Sequence, residues 1–331
     1  MSEISEMIIE QIIADGDLDG LISAAIVLRF WPNAKVVFSH PAEIRRGDLD
    51  SIINLNTAVL DLPFHPHCGL HIDHHLTNKP DDNTMGKANE SGRIIVWENA
   101  LSAARVCYNA FKEICDLADF DAWLDMVDRL DGGKITHEEF LSDHPIVWIG
   151  RTINSTDNEY CQYLLHSISN GLGPEQLEST NPVSLRIDEA KSEFHKLQAM
   201  LDDNTTIKDR LAIVRLEGAG VRTNGYLVTA HFGDKCDACM IIHGYHKSHP
   251  DSEKWPLSAS FYSNSFLHQN GGMFDLTKLA TAFDVDGGGH ADACGCRIQP
   301  LSVESKREKR DVRSNDIEAN VSNWLEMWSH R

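Results

Sequence analysis

The chain lacks long apolar runs and is poor in basic residues. No apolar segment approaches the roughly 18 to 20 residues that a membrane-spanning helix requires, so the sequence predicts no membrane partner. Only 30 Lys and Arg face 50 Asp and Glu, which gives a formal charge of -20. Proteins that grip long nucleic acid use Lys and Arg on its phosphates. The basic deficit therefore argues against long duplex DNA as a partner, while leaving room for a local phosphate pocket.

Signals for export and for a disulfide framework are also missing. The segment from Met1 to Glu10 holds three glutamates and neither Lys nor Arg, whereas a secretory leader begins with basic residues. The chain has eight cysteines, several of them inside apolar segments, as reduced thiols of a cytosolic protein are (Cys107, Cys115, Cys161). We therefore expect a cytoplasmic protein.

The first part of the chain alternates short apolar runs with helical spacing. Strands are predicted at residues 7–14, 34–38, 57–62 and 70–73, with a helix at 21–30. Near-continuous apolar strands separated by helices are typical of a parallel sheet covered on both faces. Apolar residues at three- and four-residue spacing then predict helices at 102–113, 120–130, 159–169 and 184–201.

The pattern returns to strands after a polar stretch at residues 202–209. Strands are predicted at 211–216, 238–243 and 257–262, followed by a helix at 275–283 and a last amphipathic helix. That last helix has one apolar side, formed by Val321, Trp324, Leu325 and Trp328. We expect an α/β protein of two domains with the active-site cleft between them: a parallel-sheet domain at 1–185, a linker helix at 186–209 and a smaller mixed-sheet domain at 210–331.

Acidic and histidine residues follow three of the predicted strands. They are the run Asp15-Gly16-Asp17-Leu18-Asp19-Gly20, then Asp61, then Asp73-His74-His75. Each alone has an ordinary explanation as a helix cap, a turn or a solvated strand end. In open α/β sheets, however, these strand ends meet at one ligand crevice. Gathering so many carboxylates there is costly unless cations offset their repulsion.

The types of side chain in this set indicate the ion. Carboxylate oxygens mixed with imidazole nitrogens suit Mn²⁺ best, with Mg²⁺ as the alternative. The set contains no thiolate, which argues against a structural zinc site. The first loop also lacks the spacing and the distal Glu of a calcium-binding EF-hand.

The order DGDLDG, VLD and DHH resembles the first three motifs of the DHH phosphoesterase family. The later segment GGGHADACG is similar to the glycine-rich signature of that family's C-terminal domain. The family includes RecJ-like exonucleases, nanoRNases, cyclic-dinucleotide phosphodiesterases, exopolyphosphatases and family II inorganic pyrophosphatases. The resemblance implies a site with two Mn²⁺ ions.

Carried over residue by residue, the resemblance assigns a role to each matched position. Asp15 and Asp17 match metal ligands, and Asp61 matches the carboxylate that bridges the two ions. His74 matches the ligating histidine, with Asp73 orienting it. His75 matches the residue that faces the substrate phosphate or helps to move a proton.

Two positions leave alternatives open. NanoRNase and pyrophosphatase members carry His where this chain has Gln11, so Asp19 is either a replacement ligand or a helix cap. The fourth motif is an aspartate at the end of a helix, and WLDMVDRLDGG offers Asp125, Asp128 and Asp131. Helical spacing puts Asp125 and Asp128 on one face. We favour Asp128 as the ligand, followed by Asp131.

The second domain is expected to hold the substrate. An isolated triple glycine is usually a flexible turn, but the resemblance implies that the amides of Gly287, Gly288 and Gly289, with His290, contact a phosphate. Family members often carry Arg on the preceding strand where this chain has Tyr262. Losing a guanidinium removes a bidentate phosphate contact, and Tyr262 either stacks on a base or packs at the rim of the domain.

Two further clusters carry weaker hypotheses. Four cysteines could form a zinc site if their strands are adjacent (Cys236, Cys239, Cys294, Cys296). Three histidines recur at every third residue, a pattern that favours a surface loop over a ligand set (His243, His246, His249).

The sequence therefore predicts a two-metal phosphoesterase. We expect it to hydrolyse phosphodiester bonds of short oligonucleotides or dinucleotides to nucleoside monophosphates. The alternatives are an exopolyphosphatase or other phosphoanhydride hydrolase, and a nucleotide-binding regulator whose active site has decayed. The oligomeric state stays open, a homodimer included.

Overall fold

The computed structural model describes residues 4–331, which form two compact units. The first unit comprises residues 4–135 and 142–191, and the second comprises residues 136–141 and 192–331. Residues 1–3, the start of the acidic N-terminal segment, lie outside the described part. Across residues 4–331, no helix combines the length and the apolar character that a membrane span would need.

The first unit is built on a sheet of five parallel strands. They are β1 Gln11–Asp15, β2 Lys35–Ser39, β3 Thr57–Leu60, β4 Leu70–Asp73 and β5 Ile94–Trp97, in the spatial order β2-β1-β3-β4-β5. The chain leaves β1 toward β2 on one side and returns to β3 on the other. This reversal places a topological switch point at the carboxyl ends of β1 and β3, where open α/β sheets bind their ligands.

Thirteen α-helices are present in residues 4–331. They are α1 Leu18–Phe30, α2 Pro41–Arg46, α3 Asp82–Glu90, α4 Ala103–Phe111, α5 Asp121–Asp131, α6 His137–Leu141, α7 Pro145–Thr152, α8 Asn158–Ser169, α9 Pro174–Glu178, α10 Asn181–Asn204, α11 Gly225–Phe232, α12 Thr277–Ala280 and α13 Ser314–Ser329. Short 3₁₀ turns occur at Ile4–Glu6, Leu76–Asn78, Ala118–Phe120 and Gly233–Lys235.

Helix α1 begins tightly against the end of β1. Asp17 caps it by accepting a hydrogen bond from the Gly20 amide at 3.0 Å. A Cβ on Gly20 would lie 2.3 Å from the Asp15 carbonyl oxygen, so only glycine permits this approach. The helix is buried continuously from Asp19 to Leu28 and is therefore a central core element of the first unit.

The second unit contains a mixed sheet of six strands. They are β6 Thr205–Lys208, β7 Leu211–Arg215, β8 Ala238–His243, β9 Ser258–Ser263, β10 Gly288–His290 and β11 Ala293–Arg297, in the order β10-β11-β9-β8-β7-β6. Only β7 and β8 pair in parallel. Trp324 and Trp328 of α13 belong to one core cluster on this sheet, and Val228 of α11 belongs to the other.

The α/β class and the two separate sheets confirm the predicted fold. The first predicted strand was too long: β1 starts at Gln11, where pairing with both β2 and β3 begins, and Ile8 is exposed. The helix predicted at 275–283 is shorter in the structure and comprises only α12, Thr277–Ala280. The polar stretch 202–209, predicted as a boundary, contains the edge strand β6. The strand β5 was not predicted. The exact domain boundaries stay a prediction; α10, Asn181–Asn204, covers most of the predicted linker helix.

Candidate metal centre

The carboxyl ends of β1, β3 and β4 bring the three acidic segments of the sequence together. Ligand atoms form three overlapping groups, each within 4.8 Å: Asp15 with Asp17 and Asp61; Asp19 with His74 and Asp131; and Asp61 with Asp73, His74 and His75. Parallel strands end at the same sheet edge, which is why segments far apart in sequence converge here.

Asp61 is the most constrained member of the cluster. It directly follows β3 with a left-handed backbone, φ 58°, which is uncommon outside glycine although Asp tolerates it better than most residues. Its amide donates to the Ile72 carbonyl at 2.9 Å and its side chain is buried. Burial and the neighbouring Asp19 and Asp17 raise the pKa of its carboxyl well above the usual range. Its Oδ1 atom is buried and makes no hydrogen bond in the described part of the chain.

His74 presents a second buried atom without a hydrogen bond. Its Nδ1 lies 3.2 Å from the Ala100 carbonyl, so Nδ1 carries the proton and Nε2 faces the carboxylates. Nε2 lies 3.2 Å from Asp131 Oδ2 and 3.7 Å from Asp61 Oδ1, yet no hydrogen bond of acceptable geometry forms. Burial lowers the pKa of His74, but Asp131 and Asp19 outweigh it and raise the pKa to about 9.

These two atoms test whether the site fits a metal. A buried polar atom without a partner is rare in a folded protein, and here an acceptor and a nitrogen ligand lie 3.7 Å apart among carboxylates. Histidines lie within 4 Å of these carboxylates as ion-pair partners: His40 of Asp15, His74 of Asp19, Asp61 and Asp131, and His75 of Asp61 and Asp73. The donor set therefore fits a divalent cation bound by oxygen and imidazole.

Asp73 organises the turn that carries both histidines. It is fully buried, and its carboxylate accepts four hydrogen bonds: from the His74 amide at 2.7 Å, the His75 amide at 3.0 Å, His75 Nδ1 at 2.9 Å and Asn78 Nδ2 at 2.8 Å. Burial alone would raise the pKa of Asp73, but these contacts hold it below the usual value. The predicted role needs a correction: Asp73 orients the ring of His75, whereas the Ala100 carbonyl orients the ring of His74.

Asp17 and Asp19 of the first acidic segment have different structural roles. Asp17, not Asp19, is the cap of α1. The surrounding protein removes water from the Asp17 carboxyl, and the charge of Asp15 repels it. Both effects raise the pKa of Asp17 to about 6, although part of the residue remains exposed. Asp19 is buried, and its two oxygens accept the first amides of α4, from Ala103 and Ala104, each at 2.7 Å. Asp19 therefore anchors α4 beside the cluster, 3.7 Å from His74 Nε2.

The three candidate aspartates near the end of α5 occupy three separate environments. Asp128 lies away from the cluster, because Arg105 neutralises it through Nε at 2.9 Å and Ser102 donates to it at 2.6 Å. Asp125 is exposed and pairs with Arg129. Asp131 is the one that faces His74. The preference for Asp128 is therefore corrected in favour of Asp131. The carboxylate of Asp128 is already bound by Arg105 and is not available to a metal ion.

His40 also reaches the cluster and was missed in the sequence. It follows β2, and its Nδ1 lies 3.3 Å from Asp15 Oδ1 while its Nε2 lies 2.7 Å from Ser155 Oγ. A Cβ on Gly16 would lie 2.3 Å from the Ser155 Cβ, so glycine lets the Ser155 loop close on this corner. The carboxyl end of β2 lies at the same sheet edge as those of β1, β3 and β4, so the residues that follow β2 could have been considered on the same grounds.

The glycine-rich segment of the second unit is an edge strand rather than a loop. Gly289 has φ 139°, and a Cβ there would lie 2.6 Å from the Ala293 carbonyl oxygen of β11. Gly287 packs equally closely, with a Cβ position 2.3 Å from the Ala280 carbonyl oxygen. Only Gly288 faces open space, and His290 is exposed. Their predicted contact with a phosphate stays a prediction.

Tyr262 packs against α11, and its stacking on a base stays a prediction, whereas packing decides the two weaker hypotheses. Tyr262 lies where a Cβ on Gly225 would be, 2.1 Å from its ring, and pairs with Tyr226 at 5.8 Å between ring centres. All eight cysteines are free, and the four in question divide between two core clusters, so no zinc set is present in residues 4–331 (Cys236 and Cys239 in one, Cys294 and Cys296 in the other). Contrary to the loop hypothesis, His243 is the buried last residue of β8.

The chain has the fold of the DHH proteins: a structure described as a DHH domain of a member of the s1p family of ribosomal proteins superimposes with a TM-score of 0.57 at 12% identity, over 98% of this chain and 87% of its own. More particularly, the chain is similar to the pGpG-specific phosphodiesterase PggH from Vibrio cholerae. That TM-score is 0.72 at 16% identity, over 96% of this chain and 99% of the other. No family model and no curated protein matches the sequence.

Proposed function

We propose that this protein is a two-metal phosphodiesterase that cleaves dinucleotides or short oligonucleotides to nucleoside monophosphates. The observation that carries the proposal is the pair of buried atoms, Asp61 Oδ1 and His74 Nε2, that face one another in a carboxylate cluster without hydrogen bonds. Uncompensated acidic groups of this kind are expensive to bury, and divalent cations remove the cost. Mn²⁺ is the expected ion and Mg²⁺ the alternative.

Six side chains of the cluster would hold the ions: Asp15, Asp17, Asp19, Asp61, His74 and Asp131. When bound, a pair of divalent ions supplies Lewis acidity at the phosphoryl oxygens and a water molecule of lowered pKa. The fixed backbone of Asp61 and the Ala100 contact of His74 keep both side chains aimed at the cluster before the ions bind.

His75 is the proposed proton carrier. Its Nδ1 is engaged by Asp73 at 2.9 Å, which leaves Nε2 as the nitrogen that can donate to a substrate oxygen. The hydrogen bond to Asp73 raises the pKa of His75 above its ordinary value. A half-exposed imidazolium is thus favoured next to the cluster, where it can offset charge on the phosphate or protonate the leaving oxygen.

Charge and structural similarity together favour a short nucleotide substrate. A net charge of -20 opposes binding along a long polyanion. The similar structure PggH is described as acting on pGpG, a dinucleotide. We extend this chemistry to the present chain as a proposal, together with a cytoplasmic location and with Gly288 and His290 as substrate contacts in the second unit.

A substrate panel tests the proposal. The chelator-stripped protein is reloaded with Mn²⁺ or Mg²⁺ and given pGpG, pApA, a short and a long labelled oligonucleotide, and polyphosphate. We expect metal-dependent release of monophosphates from the dinucleotides and the short oligomer, with little cleavage of the long one. Orthophosphate from polyphosphate alone would instead support a phosphoanhydride hydrolase. Binding without turnover would support a nucleotide-binding regulator.

Two variants serve as matched controls for the panel. Asp61→Asn keeps the backbone conformation, since Asn also tolerates a left-handed φ, but removes the charge, and should abolish turnover. Asp125→Asn removes an exposed carboxylate that pairs with Arg129, and should retain turnover. Full activity of Asp61→Asn with both ions retained would overturn the proposed mechanism.

A further inference from the structure

Trp97 lies at the same sheet edge as the metal cluster and is tied to the residue that follows the ligand histidine. It is the last residue of β5, in register with Asp73 at the end of β4. Its indole N–H donates to the His75 carbonyl at 2.9 Å. The indole is only partly buried. A large aromatic surface is thus fixed beside His75, although nothing in the reaction chemistry requires an aromatic group there.

Lys79 adds a positive charge to this aromatic surface. Its Nζ lies 4.6 Å from the centre of the Trp97 ring. No ion pair joins Lys79 to a carboxylate in residues 4–331, whereas Arg105 pairs with Asp128 and Arg129 with Asp125. An exposed, unpaired lysine beside a carboxylate cluster is suited to an anionic ligand that the cluster alone would repel.

Exposed apolar side chains border the same place. Leu76, the residue after His75, is 73% exposed, and Leu101, the residue after Ala100, is 42% exposed. Both therefore flank the backbone groups that fix the two histidines. Leucines are normally covered, and Leu76 directly follows the residue whose carbonyl holds the indole, so it offers further apolar surface to a flat ligand.

We infer that Trp97, Lys79 and Leu76 form a nucleoside-binding surface, on which one base of the substrate stacks on the indole while Lys79 contacts a phosphate. This inference rests on the proposed function and specifies its substrate: a nucleobase uses the indole and the leucine, whereas polyphosphate would use only the lysine. A cation over an aromatic ring in water is held more weakly than a stacked base. The base therefore displaces Lys79 from the ring, and the freed ammonium turns to the phosphate.

The test compares an intact dinucleotide with one in which abasic sugars replace both nucleosides. The two share the same phosphates, so only a base contact distinguishes them. Trp97→Leu removes both the ring and the N–H, while Trp97→Phe keeps a ring and removes only the N–H bond to His75. Leu55→Ala removes an exposed leucine that precedes β3, at the opposite end of the strands, and is the matched control.

The expected pattern separates stacking from positioning. Trp97→Phe should lower kcat on both substrates through the loosened His75, with KM little changed. Trp97→Leu should in addition raise KM for the intact dinucleotide about tenfold, the loss typical of one base–aromatic stack, and leave KM for the abasic one unchanged. Lys79→Gln should raise KM for both substrates and weaken its dependence on salt. Leu55→Ala should behave as the wild type.

The inference fails if Trp97→Leu raises KM equally on both substrates, or if Lys79→Gln changes neither. If the wild-type chain cleaves no dinucleotide with either metal, the proposed function fails, and equilibrium dialysis of the same two dinucleotides then decides the inference separately. A preference of the wild type for the base-bearing molecule that Trp97→Leu loses supports the nucleoside surface. Equal binding of both molecules by the wild type overturns it.

Discussion

Buried aspartates occur in both units of the protein, but in opposite electrostatic states. In the second unit, Asp237, Asp284 and Asp316 are each held by an arginine: Asp237 by Arg210, Asp284 by Arg297 and Asp316 by Arg310. These forked pairs provide the strongest hydrogen bonds available to a carboxylate. They lower the pKa of all three, that of Asp284 to about 2.

In the first unit, Asp19 and Asp61 are equally buried, but their ion-pair partners are the histidines His74 and His75 rather than an arginine. Burial and mutual repulsion raise the pKa of both well above the usual range. The histidine between them takes up the missing positive charge, which is why the pKa of His74 rises to about 9. Asp128 shows that the distinction does not follow the unit: it belongs to the first unit, is paired with Arg105 and lies outside the cluster.

The comparison teaches that the partner, not the burial, marks a functional carboxylate. A buried aspartate held by an arginine, or by several amide and imidazole donors as Asp73 is, contributes to the fold. Asp61, which has an oxygen left without a donor, is suited to a cation that the chain itself does not provide.

Asp131→Asn should lower turnover by more than about 100-fold, because even residues that only support metal ligands commonly cost 10- to 100-fold. Asp128→Asn should retain turnover in whatever fraction of the protein folds, since its carboxylate contacts Arg105 and Ser102 rather than the cluster. Initial rates on a dinucleotide, normalised to folded protein, measure both. Equal losses in the two variants would show that α5 places its aspartates differently.

Bound Mn²⁺ should stabilise the wild type against unfolding. At a free concentration 100 times the dissociation constant, the expected gain is about 2.7 kcal/mol. Asp61→Asn should lose this gain yet be at least as stable as the wild type without metal, because it replaces a buried carboxyl whose charged form is destabilised by burial and by Asp19 and Asp17. Asp284→Asn should be less stable than the wild type both with and without Mn²⁺, because it breaks the pair with Arg297, but Mn²⁺ should stabilise it by the same amount as the wild type. Chemical denaturation with and without Mn²⁺ measures these values, and an undiminished gain in Asp61→Asn would contradict the division.

Stability without metal should fall with rising pH above about 6.5. The raised pKa values of Asp19, Asp61 and His74, that of His74 to about 9, mean that the folded chain binds more protons than the unfolded chain, so stability falls as the pH rises from about 6.5 to 9. Below about 6.5, the buried His71 and His243 act in the opposite direction, because their pKa values are lowered, that of His243 to about 4. The contribution of Asp284 is constant above the ordinary pKa and is lost only as the pH falls toward 2. Denaturation midpoints at several pH values measure this, and a rise across pH 6.5–9 would contradict it.

His40→Asn should have the smallest effect, a several-fold loss of Mn²⁺ affinity. The imidazole contacts Asp15 at 3.3 Å and helps to fix it, but its ring is half exposed and other ligands remain. His166→Asn, on the exposed side of α8, is the control and should bind Mn²⁺ normally. Titration calorimetry with Mn²⁺ measures both variants. An unchanged affinity in His40→Asn would show that Asp15 is oriented without it.

Much of this site could be predicted because it depends on local order along the chain. Asp15, Asp17, Asp61 and His74 each follow a buried strand, and parallel topology then brings them together. Asp131 could not be chosen over Asp128, since the decision depends on Arg105 of α4, whose position relative to α5 no periodicity reveals. The roles of Asp73 and Ala100 were likewise set by contacts across a turn, and the edge strands β6 and β10 are too polar or too glycine-rich to show strand periodicity.

The left-handed backbone of Asp61 also limits how this site can change in evolution. A residue at this φ must be Gly, Asn or Asp to avoid strain, so the longer carboxylate of Glu is not an available neighbour in sequence space. Every low-strain replacement therefore removes the charge in one step, with no graded intermediate. Homologues of this chain would therefore either retain aspartate at position 61 or lose metal binding in a single substitution. Asn or Gly at this position would indicate a homologue that is no longer catalytically active.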